Sequence, residues 1–554
     1  MASLISLPSL RPQPANTTAN FFMRDLILKF EAKVKKILQH HGKREQVFAK
    51  TPLQRCGKCI FLIDSAGLKH YFIIFAGTKN IQMIIGRNKE KEKIIRAYQS
   101  EYSQFVTVYG RRRVGKTFFV RETFGYKFTF EHAGLAHTEM KGQLAAWKSS
   151  LHDAGMAKPK LPKNWLDAFD MLKDLIKASE EKKKVIFIDE MPWMDTLHSG
   201  FIPALEHFWN GWASGRKDIL LIVCGSATSW IINKLIKDHG GLRGRVTAKI
   251  LIQPFTLAEC ERYAKAFKLG MSRRQIVEAY MVMGGIPYYW SLLDRQKSLA
   301  QNIDDLIFNP NGELYNEFDA LYASLFKNPE AYIQAITILG KKKAGMTREE
   351  LIEEGMGDNG KLTRILTELE YCGFIRKYNS IGFKKKNAVF QLIDPYTLFY
   401  FRFVSENTRA DKHFWSENQN SPMYYNWCGL AFERVCFVHE EQILRALGIS
   451  GISTAFYSWR SVSSKTTETG AQVDLVIDRI DGVVDLCEIK FTKEPFTVNA
   501  DDETNLETKI TRLSEEICTE KAIHLVLISA KGLKKNEYSS IFQNIIILED
   551  LFKA

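Results

Sequence analysis

The 554-residue sequence contains no uninterrupted apolar run of 18 or more residues, so no segment is long enough to cross a bilayer as a helix. Proline is scarce, with 15 in all, which argues against a proline-rich extended chain. Cysteine is limited to nine scattered positions: 56, 59, 224, 260, 372, 428, 436, 487 and 518. Their odd number and irregular spacing exclude a disulfide framework and fit a reducing, cytoplasmic compartment. Cys56 and Cys59 form a C-x-x-C pair, but no second pair or His-x-x-x-His completes a zinc site, so two free thiols are expected. The body also lacks strong charge. Residues 1–82 hold 13 Lys/Arg against 4 Asp/Glu and account for +9 of the net +14, leaving +5 for residues 83–554. Total charge is therefore no argument for nucleic-acid binding, and only local clusters bear on it. What remains is a globular composition, 45% hydrophobic and 25% charged. Its length suits three or four domains of about 150 residues.

Residues 1–82 read as an atypical basic extension: polar to residue 20, basic and amphipathic over Met23–His40, apolar without period over 60–75. No small-residue cleavage site follows a proper apolar core, and translation is expected to begin at Met83. From 83 to 256, strand-like runs at 105–109, 127–131, 184–189, 218–224 and 247–252 alternate with helix-like ones. That alternation predicts an α/β domain with a parallel sheet. Residues 257–327 read as a helical lid. Residues 328–400 predict helices at 329–339, 347–354 and 361–371, then strands at 374–378 and 388–393, which is a winged-helix layout. Residues 401–554 read as another α/β unit. The Lys341–Lys343 and Lys384–Lys386 runs are expected to be solvated.

Gly110-Arg111-Arg112-Arg113-Val114-Gly115-Lys116-Thr117 fits the phosphate-loop pattern G-x-x-x-x-G-K-[ST], after a strand and before a helix. Its glycines let main-chain N–H groups turn inward toward phosphate. Lys116 then reaches the β/γ-phosphates and the Thr117 hydroxyl faces Mg²⁺. About 70 residues on, the apolar run Lys184–Ile188 ends in Asp189-Glu190. Asp189 is suited to hold Mg²⁺, and Glu190 to polarise the attacking water. After the next strand, Ser226 or Thr228 is either a γ-phosphate sensor or a helix cap. Arg243 or Arg245 either stabilises phosphate charge, in cis or from a neighbouring subunit, or sits in a solvated loop.

Taken in order, Ile85-Gly86-Arg87, the phosphate loop, Phe187–Glu190, Gly225-Ser226, Gly244-Arg245 and Gly284-Gly-Ile-Pro-Tyr-Tyr289 resemble the archaeal-type ATPases of the STAND group in the AAA+ superfamily. The resemblance covers residues 84–295. It implies ATP and Mg²⁺ as cofactors, Gly86 and Arg87 near the adenine, and Pro287 closing over the nucleotide.

Farther on, a strand carrying Asp474 and a second carrying Glu488 and Lys490 are joined by a turn at Asp481-Gly482. Residues two apart share a strand face, so Glu488 and Lys490 lie together, and an antiparallel pairing brings Asp474 near them. Spacing alone also suits a solvated hairpin. With Glu433 upstream on a helix, the set resembles the PD-(D/E)XK, restriction-endonuclease-like fold. That resemblance implies Glu433, Asp474 and Glu488 as metal ligands and Asp474, Glu488 and Lys490 as catalytic. The helix predicted at 361–371 carries Lys361 and Arg364 but also Glu368 and Glu370, which leaves DNA contact and packing between modules both open.

The expectation is an ATPase coupled to DNA binding or cleavage, with no membrane partner and with a homo-oligomer left open. The rivals are a nucleotide-gated switch or scaffold that does not cut, and a winged-helix regulator.

Overall fold

The computed structural model describes residues 84–553, apart from 227, 237–240, 243, 327, 380–387, 406–410, 461–471 and 518–519, and three short strands that precede them. Those strands, Gln54–Cys56, Cys59–Ile63 and Lys69–His70, pair antiparallel in that order. The rest of the basic extension, Met83 and the Lys384–Lys386 run lie outside the described residues.

Five strands build the first sheet: β1 (Gln104–Tyr109), β2 (Phe130–Ala133), β3 (Lys184–Asp189), β4 (Ile219–Gly225) and β5 (Ala248–Leu251). All are parallel, in the order β2-β3-β4-β1-β5. A parallel sheet is covered on both faces, so its strands read as near-continuous apolar runs. β4 is buried at every position, and β3 at all but its first. On one face, helices carry Trp147, Trp165, Phe169, Phe201 and Phe208, whose rings meet edge-on or stacked. The other face opens into a core that continues through the lid into the C-terminal unit.

The stretch expected to be helical throughout is broken at defined points. Helices Leu257–Ala266 and Arg273–Met283 are separated at Gly270, where φ is +68°. Gly284, at φ +62°, and Pro287 stop the second helix and start the short helix Pro287–Ser291.

Residues 330–392 hold helices Glu330–Lys341, Arg348–Glu353 and Gly360–Tyr371 and strands β6 (Met346–Thr347), β7 (Ile375–Asn379) and β8 (Ala388–Leu392). The strands form an antiparallel sheet in the order β7-β8-β6. β6 was not expected, because two residues are too few to show an alternation. The lysines of the 341–343 run are not simply solvated: Lys341 pairs with Glu354, Lys342 with Glu350 and Lys343 with Glu433.

The C-terminal unit is a mixed five-stranded sheet of β9 (Thr454–Arg460), β10 (Gln472–Arg479), β11 (Val483–Lys490), β12 (Ala522–Ser529) and β13 (Asn544–Ile547), in that order. The first three strands run antiparallel, and helix Ala500–Ile517 crosses over so that β12 lies parallel to β11. No helix among the described residues is long and apolar enough to cross a membrane.

The lid and the C-terminal unit meet at His439. Its Nε2 accepts from the Leu257 amide at 3.0 Å, and its Nδ1 lies 2.8 Å from the Val435 carbonyl. Nδ1 must carry the proton for that second bond, so Nε2 is the bare acceptor. Burial pushes the His439 ring down to about 4, and the buried His132 likewise. Both folded values lie below the ordinary value of 6.5, so the unfolded chain takes up protons first. The associated stability is complete above pH 6.5 and is lost as pH falls toward 4. Urea midpoints measured across that window should fall more steeply for wild type than for His439→Gln, and the two slopes should match above it.

Candidate functional site

The edge where β1, β3 and β4 end gathers the predicted nucleotide residues. β1 runs into Gly110, whose φ is +145° and whose missing side chain is required: a Cβ there would lie 2.3 Å from the Ile252 carbonyl oxygen. Gly115, at φ +86°, opens helix Lys116–Thr123, and a Cβ there would meet open space. The buried Lys116 ammonium donates to the loop's own Arg111 carbonyl at 2.9 Å. The Thr117 hydroxyl donates to Asp189 Oδ2 at 2.7 Å, while Asp189 Oδ1 accepts from the Glu190 amide at 2.9 Å. Asp189 therefore faces the loop with both oxygens oriented.

Glu190 adopts a left-handed backbone conformation, φ +46°, which directs its side chain toward β4. Its carboxylate accepts from the Ser226 amide at 3.3 Å and from the Ser226 hydroxyl. The two residues singled out separately, as base and as sensor, are thus in direct contact. Thr228 lies in the short helix Thr228–Ile231, but its side chain is not among those described. Arg243 lies outside the described residues, and Arg245 is exposed.

The expected phosphate contacts of the loop are main-chain N–H groups, and the side chains of its arginines go elsewhere. Arg111 turns away from the main-chain cradle into a buried ion pair with Asp394, its guanidinium 4.5 Å from the Phe374 ring centre. Arg113 pairs with Glu317 and lies over Tyr288 at 4.4 Å. Arg112 is half-buried, and Val114 packs in the core. Positive φ at Gly110, Arg113 and Gly115 shapes the turn that carries these side chains. Pro287 starts the helix whose Tyr288 amide reaches the Arg113 carbonyl at 3.4 Å, so the Gly-Ile-Pro turn does touch the loop. Gly86 and Arg87 both have positive φ, and the Arg87 amide donates to Glu259 Oε1 at 3.4 Å. The buried Arg87 guanidinium lies 5.0 Å from the Phe255 ring centre and leaves Nη2 without a hydrogen-bond partner. Burial pulls its pKa down, against Glu259.

Sequence reasoning missed Asp394, Glu317 and Glu259. Only Glu259 had a local signal: Thr256 and Glu259 form a capping box at the start of the lid. Asp394 is 283 positions from Arg111, and nothing near it marks the pairing.

These residues suit a magnesium–triphosphate. Lys116 is satisfied only within its own loop, and Arg87 keeps an orphaned buried nitrogen. Among the described residues no group of three or more His, Cys, Asp and Glu gathers into a metal site.

The C-terminal carboxylates each lie against a lysine. Lys343, from the turn between helix Glu330–Lys341 and β6, lies 2.7 Å from Glu433 and 3.3 Å from Asp474. Its carbonyl is gripped by Arg434 and Gln391 at 2.6 and 2.7 Å. Burial, with Asp474 adding to it, pushes Glu433 up to about 7 against the pull of Lys343, and Glu433 Oε2 has no hydrogen-bond partner. Glu488 is bracketed by Lys490 at 2.8 Å and Lys509 at 2.9 Å. Burial alone would raise its pKa, but the two ammoniums hold it below the usual range. The register that pairs Leu475 with Cys487 makes Asp474 and Glu488 the next opposed positions, as expected from sequence. Lysines nevertheless pair with each of these carboxylates, and among the described residues no group of three or more His, Cys, Asp and Glu is gathered there to hold a metal.

Residues 84–293 match a protein family described as an ATPase domain predominantly from Archaea. An uncharacterized protein of Methanocaldococcus jannaschii is 24% identical over 370 residues, which span 64% of this chain and 76% of that protein. Among solved structures, a Walker-type ATPase of Pyrococcus abyssi aligns at 17% identity and TM-score 0.43, covering 58% of this chain and 96% of that one. The ORC2 protein of Aeropyrum pernix aligns at 12% and 0.36, covering 56% and 90%. A signal-transduction ATPase with numerous domains and a tetratricopeptide-repeat sensor, from Pyrococcus horikoshii, aligns at 15% and 0.27, covering 67% and 52%.

Gly110→Ala should destabilise the protein by about 2 kcal/mol or more, since contact with a backbone carbonyl adds to the conformational strain. Gly115→Ala carries the strain alone and should cost about 1–2 kcal/mol. Chemical denaturation of the two variants measures the difference.

Proposed function

Since residues 84–293 are an ATPase domain of the archaeal type, we propose that the chain binds ATP with Mg²⁺, hydrolyses it, and couples the cycle to DNA through the segments that follow. The observation that carries the reading is the 2.7 Å hydrogen bond between Thr117 and Asp189, which joins the phosphate loop to the acidic end of β3. Lys116 leaves the Arg111 carbonyl for the β/γ-phosphates, and Thr117 and Asp189 hold the metal. Mg²⁺ supplies neutralisation of phosphate charge. Glu190 orients the attacking water and takes its proton as the water oxygen bonds to the γ-phosphorus and ADP leaves. Water must first replace Ser226 as donor to the Glu190 carboxylate. Ser226 is then the residue that reports the γ-phosphate. Exposed Arg245 is the candidate arginine, acting in cis or on a neighbouring copy in a homo-oligomer.

The element order over 330–392, with β6 between the first two helices, supports a winged helix. Lys361, Thr363 and Arg364 are exposed on its third helix. The mixed C-terminal sheet, with a crossover helix and with Asp474, Glu488 and Lys490 on adjacent strands, supports a PD-(D/E)XK-like unit. One observation favours the second reading, a nucleotide-gated switch or scaffold that does not cut: lysine ammoniums already neutralise the acidic residues that a divalent ion would need.

Lys116→Ala should weaken ATP binding by about 1.5–3 kcal/mol, roughly ten- to a hundredfold, read by calorimetry. Glu190→Gln should keep binding and lower turnover by about 10²–10⁴; equal hydrolysis by this variant and wild type removes the assigned base. Mg²⁺- or Mn²⁺-dependent cleavage of plasmid or single-stranded DNA, abolished in Asp474→Ala, is the expected result for a cutting enzyme. Equal inertness of both proteins with both metals selects the scaffold.

A further inference from the structure

We propose that Asp394 is a positioning residue for the phosphate loop: it anchors Arg111, and through that bond the winged-helix segment registers whether Lys116 has been taken by a triphosphate. The proposal rests on the ATP-binding reading above.

Arg111 has two ties that pull in different directions. Its carbonyl receives the Lys116 ammonium at 2.9 Å, and its side chain is paired with Asp394. Both charged side chains are sealed from solvent, Arg111 at 6% and Asp394 at 2% exposure. The guanidinium also rests on Phe374, at the start of the hairpin.

Asp394 is itself immobilised. Its Oδ2 accepts from the Thr397 amide at 2.9 Å and the Thr397 hydroxyl at 2.6 Å, capping helix Pro395–Phe399. The Asp394 amide donates to the Phe374 carbonyl at 3.2 Å. The Thr397 hydroxyl, already donating to Asp394, accepts from the Tyr322 hydroxyl at 3.2 Å. The carboxylate has little freedom to follow Arg111, so it acts as a fixed post.

When the ammonium moves to phosphate, the Arg111 carbonyl loses its partner while the side chain stays tied. The tie to Asp394 is then what holds the Arg111 peptide in place, so bound triphosphate tightens the contacts on Phe374 and on the helix that Asp394 caps. Linkage makes the effect mutual. If nucleotide shifts the Arg111–Asp394 contact, that contact shifts nucleotide affinity by the same factor. A second clamp, Arg113 with Glu317, where Glu317 Oε1 accepts from Tyr289 at 2.7 Å, leaves the loop few other ways to relax.

The test uses the full chain. Asp394→Asn preserves the shape and the Thr397 cap but removes the charge, and Asp394→Glu keeps the charge. ATP affinity is read by calorimetry. Hydrogen exchange over 374–399 is read with and without saturating non-hydrolysable ATP analogue. In wild type the analogue should slow exchange there. In Asp394→Asn, affinity should fall roughly tenfold and the exchange response should vanish at saturation, with Asp394→Glu recovering part of both. Should Asp394→Asn fail to fold, Arg111→Gln replaces it and should lose the same response. Wild-type affinity and wild-type exchange response in whichever variant folds overturn the proposal while leaving the ATPase reading intact. A wild-type protein that binds no ATP overturns both.

Discussion

The Thr117–Asp189 hydrogen bond depends on strand order more than on any local preference. β1 and β3 are not neighbours; β4 lies between them. The loop after β1 must reach across the end of β4 to meet the acidic end of β3. Ser226 emerges at the end of the intervening strand, which is why it meets Glu190. A swapped strand order would leave every motif intact and disperse the site.

Much of this was legible. Parallel strands buried on both faces appear as unbroken apolar runs, and four of the five predicted strands fall within a residue or so of their observed limits. β2 was expected at 127–131 and lies at 130–133, because it is short and carries Glu131 and His132 inside its pattern. The loop and the Asp189-Glu190 pair were legible because phosphate chemistry demands particular residues at fixed spacing. Asp394 and Glu317 were not, because a carboxylate that pairs with a loop arginine can come from anywhere the fold brings near. The Lys341–Lys343 run is largely exposed as expected, but its ion pairs were not legible, for a related reason. A lysine run has no periodicity to say which member will meet a buried carboxylate 90 positions away.

Charge neutralisation recurs across the molecule. Arg111 with Asp394, Arg113 with Glu317 and Lys343 with Glu433 each tie one module to another. Removing one partner of such a buried pair leaves the other ion without compensation, which costs more than the pair contributes when intact. These contacts therefore specify how the modules dock better than they stabilise the docked form.

The apolar core that runs unbroken from the ATPase sheet through the lid into the C-terminal sheet limits how the protein can move. Opening it like a jaw would wet side chains that are now interdigitated, at about 25 cal/mol for each Å² exposed. Motions that keep those side chains packed are small slides of one helix along another. Any displacement passed on from the phosphate-loop edge of the sheet would then travel as shear of about an ångström or two, accumulated over several helices, rather than as the swing of a free arm.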